Sequence, residues 1–125
     1  MEQEAINRVD IFKYAKETFD TEPEYLWKKF PKYAVLRYKS NSKWYAVIMD
    51  IPKQKLGLSG EEKVDILVVK CDPIMIGSLL QNKGYLPAYH MNKDRWITIL
   101  LNGLVPKDEI FNLLTLSFDL IKNAK

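Results

Sequence analysis

The residues that this 125-residue chain lacks already narrow its possible functions. It has one cysteine, Cys71, and one histidine, His90. A lone cysteine cannot form an internal disulfide, which fits a reducing compartment. Metal sites draw three or four ligands from closely spaced Cys, His and acidic residues, and no such spacing occurs here. We therefore expect neither a metal nor another cofactor.

Long apolar runs and targeting signals are also missing. No segment approaches the roughly 20 apolar residues of a membrane-spanning helix. The start, Met-Glu-Gln-Glu-Ala, has neither the basic nor the apolar region of a secretory signal. These features predict a soluble, cytoplasmic protein without a membrane partner. With 47% hydrophobic residues and no repeat or linker, residues 1–125 are expected to form one domain.

Acidic residues are scarce in the middle of the chain. Residues 1–27 carry three basic and seven acidic side chains, whereas residues 28–95 carry thirteen basic and six acidic ones. The middle segment therefore has a formal charge of +7 in a chain of net charge +3. Such a surface attracts polyanions such as nucleic acid. The structural alternative is a solvated, lysine-rich surface without a partner.

Hydrophobic periodicity predicts three helices, over residues 3–18, 73–83 and 106–122. Two acidic residues, Glu2 and Glu4, complement the dipole of the first helix. The apolar face expected for the first helix is Ala5, Ile6, Val9, Phe12 and Ala15. That of the second is Ile74, Ile76, Leu79 and Leu80, with Gly84 as its stop. That of the third is Ile110, Leu113, Leu114, Ser117 and Ile121.

Five segments rich in β-branched and aromatic residues predict strands. They are residues 33–38, 44–51, 64–69, 85–91 and 96–101. The resulting order, α-β-β-β-α-β-β-α, predicts an α+β fold with helices packed on one antiparallel sheet of about five strands. Strict alternation along the second strand places Tyr45, Val47 and Met49 on one face. It places Trp44, Ala46 and Ile48 on the other.

The junction Lys70-Cys71-Asp72-Pro73 precedes the second predicted helix. Asp72 followed by Pro73 has the form of an N-cap and first helical residue, which indicates a structural motif. A nucleophilic Cys71 with His90 as its base is the catalytic alternative, because a thiolate is favoured beside a helix start. Cysteine is also among the most buried residue types, which favours the structural explanation.

The tip of the second predicted hairpin, residues 91–95, is a candidate for nucleic-acid binding. Lys93 and Arg95 can contact phosphates, Asn92 can read a base edge, and Tyr89 or Trp96 can stack on a base. The structural alternative is a tight turn around Asn92-Lys93. In that turn Asn92 would adopt a positive φ, and Asp94 would pair with Lys93 or Arg95.

The first predicted hairpin has the same mixture of aromatic and basic side chains, with a turn at residues 40–43. The combined candidate residues for nucleic-acid binding are Arg37, Lys39, Lys43, Tyr89, His90, Asn92, Lys93, Arg95 and Trp96.

Two blocks of this sequence resemble the signature of the MmcQ/YjbR family of small bacterial domains. They are Lys70-Cys71-Asp72-Pro73 and Tyr89-His90-Met91-Asn92-Lys93, the latter followed by Trp96-Ile97-Thr98. The resemblance spans nearly the whole chain. It departs at Ala88, where glycine is common, and at Asp94, where a basic residue is common. It implies a fold similar to CyaY-like and secretion-chaperone-like α+β sandwiches. It also implies DNA binding, a label that rests on analogy with paired wing-like hairpins.

Three hypotheses follow for the function. The first is a non-enzymatic domain that binds DNA through its two hairpins. The second is a protein-interaction or chaperone-like module that uses a sheet face or edge, with an exposed apolar patch. The third and most remote is a small enzyme built around His90 and Cys71. We expect that the protein is not an enzyme and that its partner is DNA or another protein.

Overall fold

The computed structural model describes residues 6–124 and has the predicted α+β architecture. Its helices are α1 (Arg8–Phe19), α2 (Pro73–Leu79) and α3 (Lys107–Lys122). Its strands are β1 (Ala34–Arg37), β2 (Trp44–Pro52), β3 (Lys63–Lys70), β4 (Tyr85–Pro87) and β5 (Trp96–Leu100). A short 3-10 helix, Lys53–Leu56, follows β2. All four strand pairings are antiparallel, in the order β1-β2-β3-β5-β4, which confirms the predicted fold class.

Two hydrophobic clusters occupy opposite faces of this sheet. The helix-covered face packs against α1 and α3 through residues such as Ile48, Leu67, Ile99 and Leu114. The loop-covered face packs instead against residues 27–33, the 3-10 helix and the β4–β5 loop. Because both faces of β3 are covered, residues 66–69 are fully buried, as their continuous apolar run predicts.

Helix α1 begins later than its periodicity predicts. Asn7 caps it: its side chain accepts from the Asp10 N–H, and Asp10 accepts from the Asn7 N–H, both at 3.0 Å. This reciprocal capping box fixes the start at Arg8. Val9 is consequently 66% exposed, and Ile11 takes its expected place in the core. The predicted start, with Glu2, Glu4 and Ala5, lies outside the described residues.

Helix α2 is shorter than predicted, and less of its expected apolar face is buried. After Leu79 the chain continues in tight turns, with the Asn82 N–H donating to the Leu79 carbonyl at 2.9 Å. Ile76 is buried, but Ile74, expected in the apolar face, is 88% exposed. Gly84 follows the turns with φ of +95° and leads into β4.

A β-bulge in β2 corrects the predicted alternation. Leu36 pairs with Ala46 and Arg37 with Trp44, so Tyr45 is an extra residue opposite β1. The extra residue puts Tyr45 in the cluster of the helix-covered face and Trp44 in that of the loop-covered face. The prediction was therefore wrong for both aromatic residues.

The two edge strands are short. At one edge, β1 has four residues, and its Val35 exchanges two backbone hydrogen bonds with Glu24, of 2.9 and 3.0 Å. At the other edge, β4 has three residues and ends at Pro87.

Helix α3 confirms its predicted face, since Ile110, Leu113, Leu114, Ser117 and Ile121 are all buried. The Ser117 hydroxyl donates to the Tyr45 carbonyl at 2.6 Å and accepts from the Lys70 N–H at 2.9 Å. It therefore bridges β2 and β3 one residue beyond their last pair, Ala46 with Val69.

Candidate nucleic-acid interface

Three connections meet at one end of the sheet, which we call the loop end. In this antiparallel order β1, β3 and β4 finish there, and β2 and β5 start there. The loop end thus carries the β1–β2 turn (residues 38–43), the junction after Lys70, and the β4–β5 loop (residues 88–95). The topology brings every sequence-predicted candidate residue to this end or its margins.

The cations of the β1–β2 hairpin are partly neutralised. Arg37 donates from Nε to Glu24 Oε2 at 2.9 Å, and its guanidinium carbon lies 5.9 Å from the centre of the Trp44 ring. Lys39 Nζ lies 3.1 Å from Asp20 Oδ2. With Lys16, Lys39 holds the pKa of the Asp20 carboxyl below its usual value. Lys43 is exposed at the start of β2.

The β4–β5 connection is a broad loop rather than the predicted tight hairpin. The predicted strand at residues 85–91 ends at Pro87, and the positive φ belongs to His90, at +61°, rather than to Asn92. The Asn92 side-chain oxygen accepts from the Asp94 N–H at 2.8 Å, and its carbonyl accepts from the Trp96 N–H at 2.9 Å. Asn92 therefore shapes the loop through local hydrogen bonds.

Lys93 and Arg95 project from this loop as exposed side chains. The expected pairing with Asp94 is not found: among residues 6–124, these three side chains form no ion pair. The positive charges of Lys93 and Arg95 are therefore available to an anionic ligand.

Tyr89 and Trp96, expected to stack on bases, pack against the cluster of the loop-covered face. The Tyr89 N–H donates to Thr98 Oγ1 at 2.9 Å, and the Tyr89 ring lies edge-on to His90, with centroids 4.0 Å apart. These contacts place Tyr89 and His90 beside a groove of about 280 Å³, which we call the loop-face groove.

The loop-face groove contains aromatic residues that the sequence did not single out as ligand-binding. Trp27 lies edge-on to Tyr33 and Trp44, with centroids 5.8 and 5.7 Å apart, and Phe30 stacks on Tyr33 at 4.6 Å. Burial, with smaller contributions from Tyr89 and Asp50, raises the pKa of the Tyr33 hydroxyl. The high density of aromatic residues between positions 25 and 33 was the sequence signal that could have indicated this groove. Val47, Met49, Met91 and Lys55 complete the lining.

The Lys70–Pro73 junction has a structural role. Asp72 Oδ1 accepts from the Ile74 N–H at 2.9 Å, with Pro73 at the first helical position, as expected of an N-cap. The Cys71 N–H donates to the Arg95 carbonyl at 2.8 Å and so ties the junction to the β4–β5 loop. Burial raises the pKa of the Cys71 thiol, which favours its neutral form.

Cys71 and His90 line different cavities. Cys71 borders a second groove, of about 390 Å³, which we call the helix-face groove and which lies between α2 and α3. His90 borders the loop-face groove. No three histidine, cysteine or carboxylate side chains within residues 6–124 are grouped to hold a metal ion. In the same part of the chain, no helix has the length and apolar character to cross a membrane.

The fold and its loop end define a class of small α+β domains with helices on one face of an antiparallel sheet and loops on the other. Within that class, the chain belongs to the YjbR family, whose model matches residues 17–120. The predicted family resemblance is thus confirmed.

Similar proteins share both sequence and fold with this chain. The Bacillus subtilis (strain 168) protein named "Uncharacterized protein YyaQ" is 47% identical over 117 residues, which cover 94% of this chain and 99% of that protein. A crystal structure of a Pseudomonas syringae protein has 47% identity and a TM-score of 0.90, and covers 93% of this chain and 99% of its own. A Deinococcus radiodurans crystal structure, 23% identical with a TM-score of 0.74, covers 98% of this chain and 83% of its own, and it shares the fold.

Proposed function

We propose that this protein is a non-enzymatic domain that binds nucleic acid through the loop end of its sheet. The observation that carries the proposal is the β4–β5 loop, which presents Lys93 and Arg95 without ion-pair partners among the described residues. Exposed cations of this kind bind phosphates and release counterions from the nucleic acid. The net charge of +7 over residues 28–95 favours the same ligand class.

The separation of Cys71 from His90 supports a non-enzymatic role. A nucleophile and its base need to lie within hydrogen-bonding reach of each other. Here the two side chains line different grooves, and burial raises the pKa of the Cys71 thiol. Neither groove therefore combines a thiolate with a histidine base.

The test is a salt titration of binding to random-sequence duplex DNA. Lys93→Ala and Arg95→Ala should each weaken binding equally across sequences and lower the salt slope by about one unit, since each phosphate contact releases roughly 0.9 counterion. Lys83→Ala is the matched control, because Lys83 is an exposed lysine just before β4, at the opposite end of the sheet. It should leave the slope unchanged.

Asp94→Arg provides the complementary gain of function. It replaces the acid between Lys93 and Arg95 with a third cation, so binding should strengthen and the salt slope should steepen. If neither the native protein nor this variant binds DNA at low salt, the nucleic-acid proposal is wrong.

An exposed apolar surface favours a protein-interaction module as the second candidate. Ile74 is 88% exposed, and Met75, Leu116 and Leu120, at 36–38% exposed, border the helix-face groove. An amphipathic helix of a partner protein fits a groove between two helices. Ile74→Ser would remove exposed apolar surface without changing any charge near the loop end. If the Ile74 variant no longer binds a protein partner that the Lys93→Ala variant still binds, the result would support this second function.

A further inference from the structure

From its lining and its charge, we infer that the loop-face groove binds an unstacked nucleobase carrying a phosphate. The inference rests on the proposed function, because it specifies single-stranded nucleic acid as the ligand and base insertion as the mode of binding. It adds a stacking site on the loop-covered face to the phosphate contacts at the loop end.

The lining supplies flat apolar surfaces at several orientations. Trp27 meets the rings of Tyr33 and Trp44 at 71° and 72°, so the groove offers both ring faces and ring edges. Phe30, 47% exposed, stacks on Tyr33 at the solvent side. Aromatic side chains of this kind bind bases by stacking, whatever the base sequence.

The volume suits one ring system. At about 280 Å³, the groove lies just below the roughly 300–1,000 Å³ of sites for drug-sized ligands. A single base therefore fits the available space better than an extended ligand does.

The charge around the groove selects an anion. Lys55 lines it, whereas no carboxylate of the described chain does. Asp50, whose charge reaches Tyr33, is paired with Lys63 Nζ at 3.7 Å. The segment that contributes Trp27, Phe30 and Tyr33 also carries Lys28, Lys29 and Lys32, all exposed. An aromatic cage can also hold a quaternary ammonium ion. These lysines oppose a cation, which favours a base whose phosphate reaches the rim.

His90 lines the groove and has a left-handed backbone conformation. Its φ of +61° lies in the left-handed region, which asparagine, aspartate and histidine adopt more readily than other residues with a Cβ. His90→Asn should keep this backbone conformation and remove the ring, so it separates the imidazole contact from the shape of the loop.

Tryptophan fluorescence reports occupancy directly, because Trp27 and Trp44 line the groove. Adenosine monophosphate should quench this fluorescence, adenosine should do so more weakly, and ribose 5-phosphate and choline should have no effect. Quenching by choline in place of the nucleotide would overturn the assignment.

Phe30→Ser and Tyr25→Ser form a matched pair of variants. Both remove an exposed aromatic ring from the same segment, 47% and 56% exposed, but Tyr25 does not line the groove. Phe30→Ser should weaken nucleotide binding at least about fivefold, as expected for the loss of one stacking ring. Tyr25→Ser should not. Lys55→Met should weaken binding of the nucleotide but not of adenosine.

Single-stranded DNA separates this inference from the proposed function. An oligothymidylate should bind more tightly than an abasic strand of equal length, and Phe30→Ser should abolish the difference. Equal binding of the two strands, with Lys93→Ala still harmful, would refute base insertion and leave the loop-end interface in place. Quenching by the nucleotide without binding of any strand would refute the proposed function and define a site for free nucleotides.

Discussion

Ser117→Ala should destabilise this fold more than any other loss of a single hydroxyl from its helices. The Ser117 hydroxyl is a buried bridge between the Lys70 N–H and the Tyr45 carbonyl. Removing the hydroxyl leaves both groups without a hydrogen-bond partner, and each unpaired group costs about 1–3 kcal/mol when it is fully buried. The cost for the buried Tyr45 carbonyl spans this whole range, and the cost for the half-buried Lys70 N–H is about 1 kcal/mol. The higher helix propensity of alanine offsets about 0.5 kcal/mol of this cost.

The expected net loss is about 1.5–3.5 kcal/mol of unfolding free energy, or roughly 5–15 °C in melting temperature for a chain of this size. Urea or thermal unfolding followed by circular dichroism measures it. Ser78→Ala is the matched control, because Ser78 is an exposed residue of α2. It should be neutral or slightly stabilising.

Hydrogen exchange at Lys70 tests the reason for this loss. In the native protein the Lys70 amide should be protected, and in Ser117→Ala it should exchange faster than that of Val69, which lies inside the β2–β3 pairing. If Ser117→Ala lowers the free energy of unfolding no more than Ser78→Ala does, and the Lys70 amide stays protected, the serine bridge is dispensable. The Lys70 N–H would then have found another acceptor.

Three further changes test the structure at other points. Asp72→Ala should cost about 0.5–2 kcal/mol in chemical unfolding because it removes the N-cap of α2, and Asp72→Asn, which keeps the acceptor, should cost less. Gly84→Ala should cost more than about 1 kcal/mol, since a Cβ there would lie 2.5 Å from Val105 Cγ2 at a φ of +95°; wild-type stability would contradict this packing. Burial raises the pKa of the Tyr45 hydroxyl to about 12, and Thr21 lowers it by a smaller amount. The burial of the neutral hydroxyl therefore contributes its full stability below about pH 10, and that contribution is lost between about pH 10 and 12. Tyr45→Phe should flatten that alkaline decline in a series of melting temperatures, and an unchanged decline would mean that Tyr45 is not responsible.

Local signals predicted the last helix, α3, and the start of α2 at Asp72 well. The apolar positions of α3 repeat at three and four residues, and the sheet buries that same stripe, including Ser117. Asp72 and Pro73 specify a helix start through neighbouring backbone groups alone. At α1, the capping box at Asn7 overrode an apolar pattern that had included Val9.

The groove could not be predicted because it depends on contacts between distant segments. Trp44 reaches the loop-covered face through a bulge that is defined only by pairing with β1. Trp27 and Tyr89 are far apart in sequence and meet only once β1, β2 and β5 have assembled. Alternation within a single strand carries no information about either event.

The short edge strands of this sheet restrict how a partner can bind. An exposed strand edge recruits a further strand and so promotes aggregation or pairing between chains. Here the β1 edge is engaged at Val35 by Glu24, and β4 ends after three residues at Pro87, which has no N–H to donate. Neither edge of the described sheet offers a continuous ladder for strand addition. Binding of a partner by strand addition is therefore disfavoured, and the native protein should resist edge-to-edge polymerisation.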